Sequence, residues 1–167
     1  MYYSSEIHEE TFFESNIFRF YFEDLNLGVI DIETTGLNPD RSRFILGGLV
    51  APDRQGKKAV QIMAESKEEE AQLILAYLSE LSDLDVIVSY NGDHFDLPYL
   101  NRRMAHNRIS GESLPVFLSL DLYRILDQYS NFRRLLPNLK QKTVETFLGL
   151  WRSEERRVGK ECMPVCR

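Results

Sequence analysis

Leu27-Gly-Val-Ile-Asp-Ile-Glu-Thr-Thr-Gly36 is the stretch from which the fold is read. Its first seven residues are short, apolar and β-branched, and Thr34-Thr35-Gly36 offers a turn, so Leu27 to Glu33 is predicted to be a strand. Side chains alternate faces along a strand. Asp31 and Glu33 therefore leave one face while Ile30 and Ile32 take the other. Two neighbouring carboxylates repel, and burying them at a strand end costs several kcal/mol unless a cation or hydrogen-bond donors compensate. Hard oxygen donors of this kind select Mg²⁺ or Mn²⁺ over zinc. Taken alone, a D-x-E pair is also what a solvated surface strand carries.

Working outward, Phe44 to Val50 and Lys58 to Ala64 read as two further strands, separated by the turn-rich Ala51 to Gly56, in an antiparallel meander. Ser66 and Glu69 form a capping box. Ala71, Ile74, Leu75, Leu78 and Leu81 then recur at helical spacing, which predicts a helix of about 15 residues. Asp85 to Tyr90 is a fourth strand ending at the Asn91-Gly92 turn, and Leu97, Leu100 and Met104 mark a helix with Pro98 in its first turn. Pro115 to Leu120 is a fifth strand, Asp121 opens another helix, and Leu139 to Leu148 reads as one more. This order is that of an α/β fold with a mixed sheet, in which strands one, four and five are parallel and buried. Residues 1 to 26 mix acids with aromatics without a clean period and are assigned only as a leader packing on the domain.

A second cluster gives the acidic pair a partner. In Tyr90-Asn-Gly-Asp-His-Phe-Asp-Leu-Pro98, Asp96 falls in the first turn of a helix, where the helix dipole favours an acid. The ends of strands one and four adjoin at the carboxyl edge of a parallel sheet, where α/β folds place their sites. Asp31, Glu33 and Asp96 could there share two metal ions about 4 Å apart, the clamp of metal-assisted phosphodiester hydrolysis.

Asp31-Ile-Glu-Thr-Thr-Gly-Leu37 resembles the first motif of the DEDD-type (DnaQ-like) 3′-to-5′ exonucleases of the ribonuclease-H-like superfamily, and Asn91-Gly-Asp-His-Phe-Asp96 resembles their second. Ser89 to Arg103, Leu120-Asp-Leu-Tyr123, Lys142-Thr-Val-Glu145 and Leu148-Gly149 are most similar to the bacterial YprB-like exonuclease domains. The resemblance spans Val29 to Trp151. It implies a five-stranded sheet of order 3-2-1-4-5, two divalent ions (Mg²⁺ or Mn²⁺) and hydrolysis at a nucleic-acid 3′ end, DNA or RNA. Asp31, Glu33 and Asp96 match the first three metal-binding and catalytic acids. The third motif, a His or Tyr base shortly before a fourth acid, has no match up to Trp151, so this chain is expected to be inactive or nearly so.

Smaller expectations surround these three acids. Thr34, Thr35, Asn91, Arg102 and Arg103 are candidate substrate contacts, although Arg102 and Arg103 cannot both face one groove. Thr34, Thr35 and Asn91 also suit the turns they occupy. Asp121 is a possible further site acid or simply a helix cap, and His94 reads as a surface histidine. Two other classes stay open: a nucleic-acid-binding module of this fold without turnover, and a phosphatase of the haloacid-dehalogenase type, which wants D-x-D-x-T and leaves Asn91 to Pro98 unexplained.

The 167 residues, 43% hydrophobic and 11% aromatic, suffice to bury the core of one domain. The net charge of −6 is unevenly spread. Lys and Arg against Asp and Glu count 7 to 19 over residues 1–96 and 8 to 3 over 97–142. A basic block beside a carboxylate cluster suits an enzyme that holds phosphates and metal together. No long apolar run or basic leader occurs, so a cytoplasmic protein away from membranes is expected. Both cysteines, Cys162 and Cys166, lie in the last six residues, which excludes a disulfide scaffold. Arg152 to Cys162 resembles a translated sequencing adapter. The expected division is therefore a leader (1–26), an exonuclease domain cut short at its C-terminal side (27–151) and a non-native, unpacked tail (152–167).

Overall fold

The computed structural model describes residues 1–9, 15–109 and 113–150. The expected packing state of the tail, 152–167, lies outside them. Two compact units are present, Met1–Ile125 and Leu126–Arg167.

The first unit is built on a six-stranded mixed sheet. Its strands are β1 (Tyr2–His8), β2 (Leu27–Thr34), β3 (Phe44–Asp53), β4 (Gly56–Met63), β5 (Val86–Ser89) and β6 (Leu118–Asp121), in the order β1-β4-β3-β2-β5-β6. The five expected strands thus stand in the expected order. β1, from the leader, is added at the outer edge, antiparallel to β4. β2, β3 and β4 form the antiparallel meander, and β5 and β6 run parallel to β2. β6 departs from expectation: it is an edge strand with Leu118 exposed, because the described elements cover it only in part.

β2 shows the alternation that its sequence carries. Ile30 and Ile32 are buried, while Val29, Asp31 and Glu33 are exposed. The buried face packs under α2 (Glu70–Leu81) and α3 (Asp96–His106), with Phe44, Ile62, Ile74, Tyr77, Ile87 and Leu100 among the core residues. Removing such side chains from water stabilises the fold by about 25 cal/mol per Å² of apolar surface. Gly47 is required by this packing, since a Cβ there would stand 2.5 Å from the Tyr77 ring. On the opposite face, Phe22 at the end of α1 (Asn16–Phe22) packs against Leu27, Val86 and Val88.

α2 begins at Glu70, three residues later than the capping box predicts, and its inward face is Leu73, Ile74, Tyr77, Leu78 and Leu81, with Leu75 exposed. The Glu69 carboxylate instead accepts the Glu65 N–H at 2.8 Å, and Glu70 is drawn inward to an arginine. α4 (Leu122–Tyr129) follows β6. In the second unit, α5 (Phe132–Leu135) and α6 (Gln141–Phe147) bring Phe132 and Phe147 edge to face, with ring centroids 5.4 Å apart.

Candidate active site at the end of the central strand

β5 pairs with β2 only from Leu27 to Val29. Further along β2, the Ile32 N–H is met instead by a side chain: Asp96, the first residue of α3, accepts it through Oδ1 at 3.2 Å. The carboxylate takes over a backbone bond where β5 has ended, and this fixes Asp96 beside the central strand. It is buried, whereas Asp31 stands on the exposed face of β2.

The two carboxylates feel each other. Burial is the largest cause that pushes the Asp96 carboxyl up to about 6, and the negative charge of Asp31 is the second. N–H bonds from its own backbone and from Ile32 only partly offset this, and Asp121 adds a smaller repulsion. Beneath them lies Tyr77, whose hydroxyl donates to the Gly48 carbonyl at 2.9 Å and is held protonated mainly by burial and further by Asp96 and Asp31. Gly48 pairs with Asp31 across β2 and β3. Its missing side chain leaves open a cleft of about 500 Å³ on the face that carries Asp31 and Glu33.

The turn that delivers Asp96 is held from outside. Asn91 adopts φ +67, a left-handed conformation uncommon for a non-glycine residue. At Gly92 a Cβ would stand 2.3 Å from Ser89 Oγ and 3.5 Å from Asp96 Oδ2, so only glycine fits. Ser89 Oγ is buried and has no hydrogen-bond partner among the described residues. Asp121, at the end of β6, accepts N–H bonds from Asn91 (2.9 Å), Asp93 (3.2 Å), Tyr123 (2.9 Å) and Arg124 (3.3 Å). It caps α4 and clamps the Asn91–Asp93 turn to β6 at once. Asp93 in turn accepts from Ser119 and pairs with Arg124.

The remaining expected residues divide. Thr34 Oγ1 donates to Gly36 O at 3.0 Å and Thr35 Oγ1 accepts the Arg43 N–H at 2.9 Å, so both hydroxyls shape the loop that follows β2. Arg102 is exposed and pairs with Asp40 of that loop at 2.7 Å. Arg103 requires a correction. It is buried, bonds Glu70 through Nε (2.7 Å) and Nη2 (2.6 Å), and donates to Pro39 O at 2.7 Å, so its guanidinium is committed within the protein rather than offered to a substrate. His94 is exposed.

The donor set suits a hard divalent cation in one respect: a buried aspartate is destabilised by a second aspartate, and a cation between them would reverse that penalty. Asp31 and Asp96 are the residues able to hold it, with Glu33 two positions along the same face. Among the described residues no three of His, Cys, Asp or Glu are gathered closely enough to hold a metal ion. The three expected acids are therefore not gathered as a group of three among the described residues, and what links Asp31 to Asp96 is the repulsion between their charges. Glu70, Tyr77 and the clamping role of Asp121 escaped the sequence reading. Tyr77 alone had a signal, three residues after Ile74 on the inward face of α2.

Comparison with known proteins agrees with this architecture. The RNase_H_2 family of the RNase_H superfamily matches residues 29–165. A DNA polymerase of Pyrococcus glycovorans is 35% identical over 92 residues, 48% of this chain and 12% of that protein. The fold is shared with the family B DNA polymerase of Pyrobaculum calidifontis (TM-score 0.59, 22% identity, 77% of this chain and 19% of that one). It is shared as well with exonuclease I of Methylocaldum szegediense (TM-score 0.60, 16% identity, 78% and 37%). The chain spans only a small fraction of the polymerase that it matches in sequence. With most of its length matched, the chain belongs to the RNase H superfamily.

Proposed function

We propose that this chain carries the core of a metal-dependent 3′-to-5′ exonuclease domain, in which Asp31, Glu33 and Asp96 hold divalent cations, Mg²⁺ or Mn²⁺, two in a complete site. The observation that carries this reading is the placement of Asp96 against Ile32 of the central strand, where its charge and that of Asp31 oppose each other. A nuclease is also what the superfamily and the exonuclease neighbour suggest. Bound cations would stabilise charge on the phosphate and lower the pKa of a water. The protein's own part is positional. Asp121 and Gly92 hold the turn that presents Asp96, Tyr77 braces β3 beneath Asp31, and the cleft lined by Asp31 and Glu33 would take a terminal nucleotide, with Thr34 and Thr35 in the loop that follows β2 and Asn91 in the turn before α3. Arg102, at the surface, is the remaining candidate for a phosphate contact.

No residue up to Trp151 matches the His or Tyr base and fourth acid of the DEDD-type third motif. The 167-residue chain is accordingly expected to bind metal and to turn over at or near background. The test uses a 5′-labelled oligonucleotide, Mn²⁺, this chain, and a longer chain that carries a third motif after Trp151. Stepwise shortening from the 3′ end by the longer chain, abolished by Asp31→Ala without loss of the circular-dichroism signal, is the expected result. Metal and oligonucleotide binding with no hydrolysis in either chain would favour the non-catalytic binding module instead.

A further inference from the structure

The outer edge of the sheet is unusually open. β1 runs without interruption against β4 from Tyr2 opposite Met63 to His8 opposite Lys57, and among the described residues nothing pairs with its other side. Edge strands are ordinarily blocked by brevity, lysine, proline or a bulge. The opposite edge, β6, is only four residues long. Tyr-Tyr-Ser-Ser-Glu-Ile-His has seven residues, no lysine, no proline and an unbroken register. Tyr2, Tyr3 and Ile7 are also 48 to 52% exposed, at 52%, 48% and 52%, which is apolar surface that pairing would cover.

We infer that β1 is a self-association edge, pairing antiparallel with β1 of a second copy of this chain to continue the sheet across a two-fold axis at Ser5. The strand is complementary to itself in that register. Tyr3 meets Ile7 of the second copy and Ser5 meets Ser5 on the helix-bearing face; Tyr2 meets His8 and Ser4 meets Glu6 on the other. Every residue finds a partner and no like charges stand opposite, whereas a register centred on Glu6 sets two carboxylates against each other. Residues directly opposite share a face, so the clefts bearing Asp31 would open on the same side of a continuous sheet. The two β2 strands would lie roughly 34 Å apart before twist, seven strand spacings of the usual size. Strand pairing of this length buries less than a standard interface, so the association is expected to be weak and concentration-dependent.

The test is sedimentation equilibrium of the 167-residue chain over a wide concentration series, with two variants. Wild type is expected to pass from 19.5 kDa to twice that mass as concentration rises. Ser5→Lys, which sets two ammonium groups against each other on the axis, should remain monomeric with an unchanged melting temperature. Ser5→Cys, in a Cys162→Ser, Cys166→Ser background, should form a reducible covalent dimer on mild oxidation. A wild type that stays monomeric throughout overturns the proposal, as does a dimer indifferent to Ser5→Lys. Hydrogen-exchange protection, in the dilute monomer, of those alternate N–H groups of residues 2–8 that point away from β4 would also overturn it, since the outer edge would then be covered by the chain itself.

Discussion

Asp96 carries the conflict between stability and chemistry at the scale of one residue. Its carboxyl is raised from the ordinary 3.8 to about 6, chiefly by burial and then by Asp31. Between those two pH values the folded chain holds more protons on this group than the unfolded chain does. The contribution of Asp96 to stability is therefore fully present below the lower value and is lost as pH rises to about 6, by some 3 kcal/mol at most. Asp96→Asn keeps an acceptor for the Ile32 N–H and removes the charge, so it should raise the melting temperature of the cation-free chain at pH 7.5. At pH 4 it should change it little. A fall at neutral pH would contradict the repulsion. Cations bind the ionised carboxylate, so the thermal stabilisation of the wild type by Mn²⁺ should shrink as pH is lowered through about 6. An equal Mn²⁺ shift at pH 7.5 and pH 5 would place the cation elsewhere. The set of candidate acids was legible because Asp31, Glu33 and Asp96 interrupt apolar patterns. Its electrostatic asymmetry was not, since burial of Asp96 depends on where β5 stops.

Elements are joined around the site by one buried ion pair. Arg103 of α3 and Glu70 of α2 form a bidentate pair, Glu70 also accepts the Phe44 N–H at 2.9 Å, and Arg103 also holds the Pro39 carbonyl. Losing one partner leaves the other charge buried. Arg103→Met or Glu70→Leu alone should therefore cost about 3 to 5 kcal/mol, while the double variant costs less than the sum of the two. Urea unfolding measures the cycle, and additivity would show that the pair acts as two separate contacts. The late start of α2 has the same origin. Sequence periodicity can place Leu78 and Leu81 inside, but it cannot tell that Glu70 is buried by an arginine 33 residues away. β1 was illegible for the opposite reason: nearly all its residues are exposed, so it lacks the alternation that marks a half-buried strand, and only its pairing with β4 defines it.

At the scale of the whole molecule, the order of strands and helices was legible from alternation in β2 and from the turns around Asn91-Gly92 and Ala51 to Gly56, because each of these is a local feature. The charge mosaic leads to a prediction of its own. Arg102, with the other basic residues of the 97–142 stretch, should give single-stranded oligonucleotide binding that weakens steeply with salt, and Arg102→Ala should weaken it modestly and reduce the salt slope by roughly 1. Arg103→Ala, by contrast, should act through stability and leave the slope unchanged. Fluorescence anisotropy at several salt concentrations separates the two, and equal slopes for wild type and Arg102→Ala would remove Arg102 from the interface. The account as a whole rests on Asp31 and Asp96 forming one cation site, which a Mn²⁺ titration followed by electron paramagnetic resonance at pH 7.5 tests directly. Wild type should bind Mn²⁺, with Asp31→Asn and Asp96→Asn each weakening it about tenfold or more while both variants remain folded; indistinguishable Mn²⁺ affinity in all three chains would contradict it.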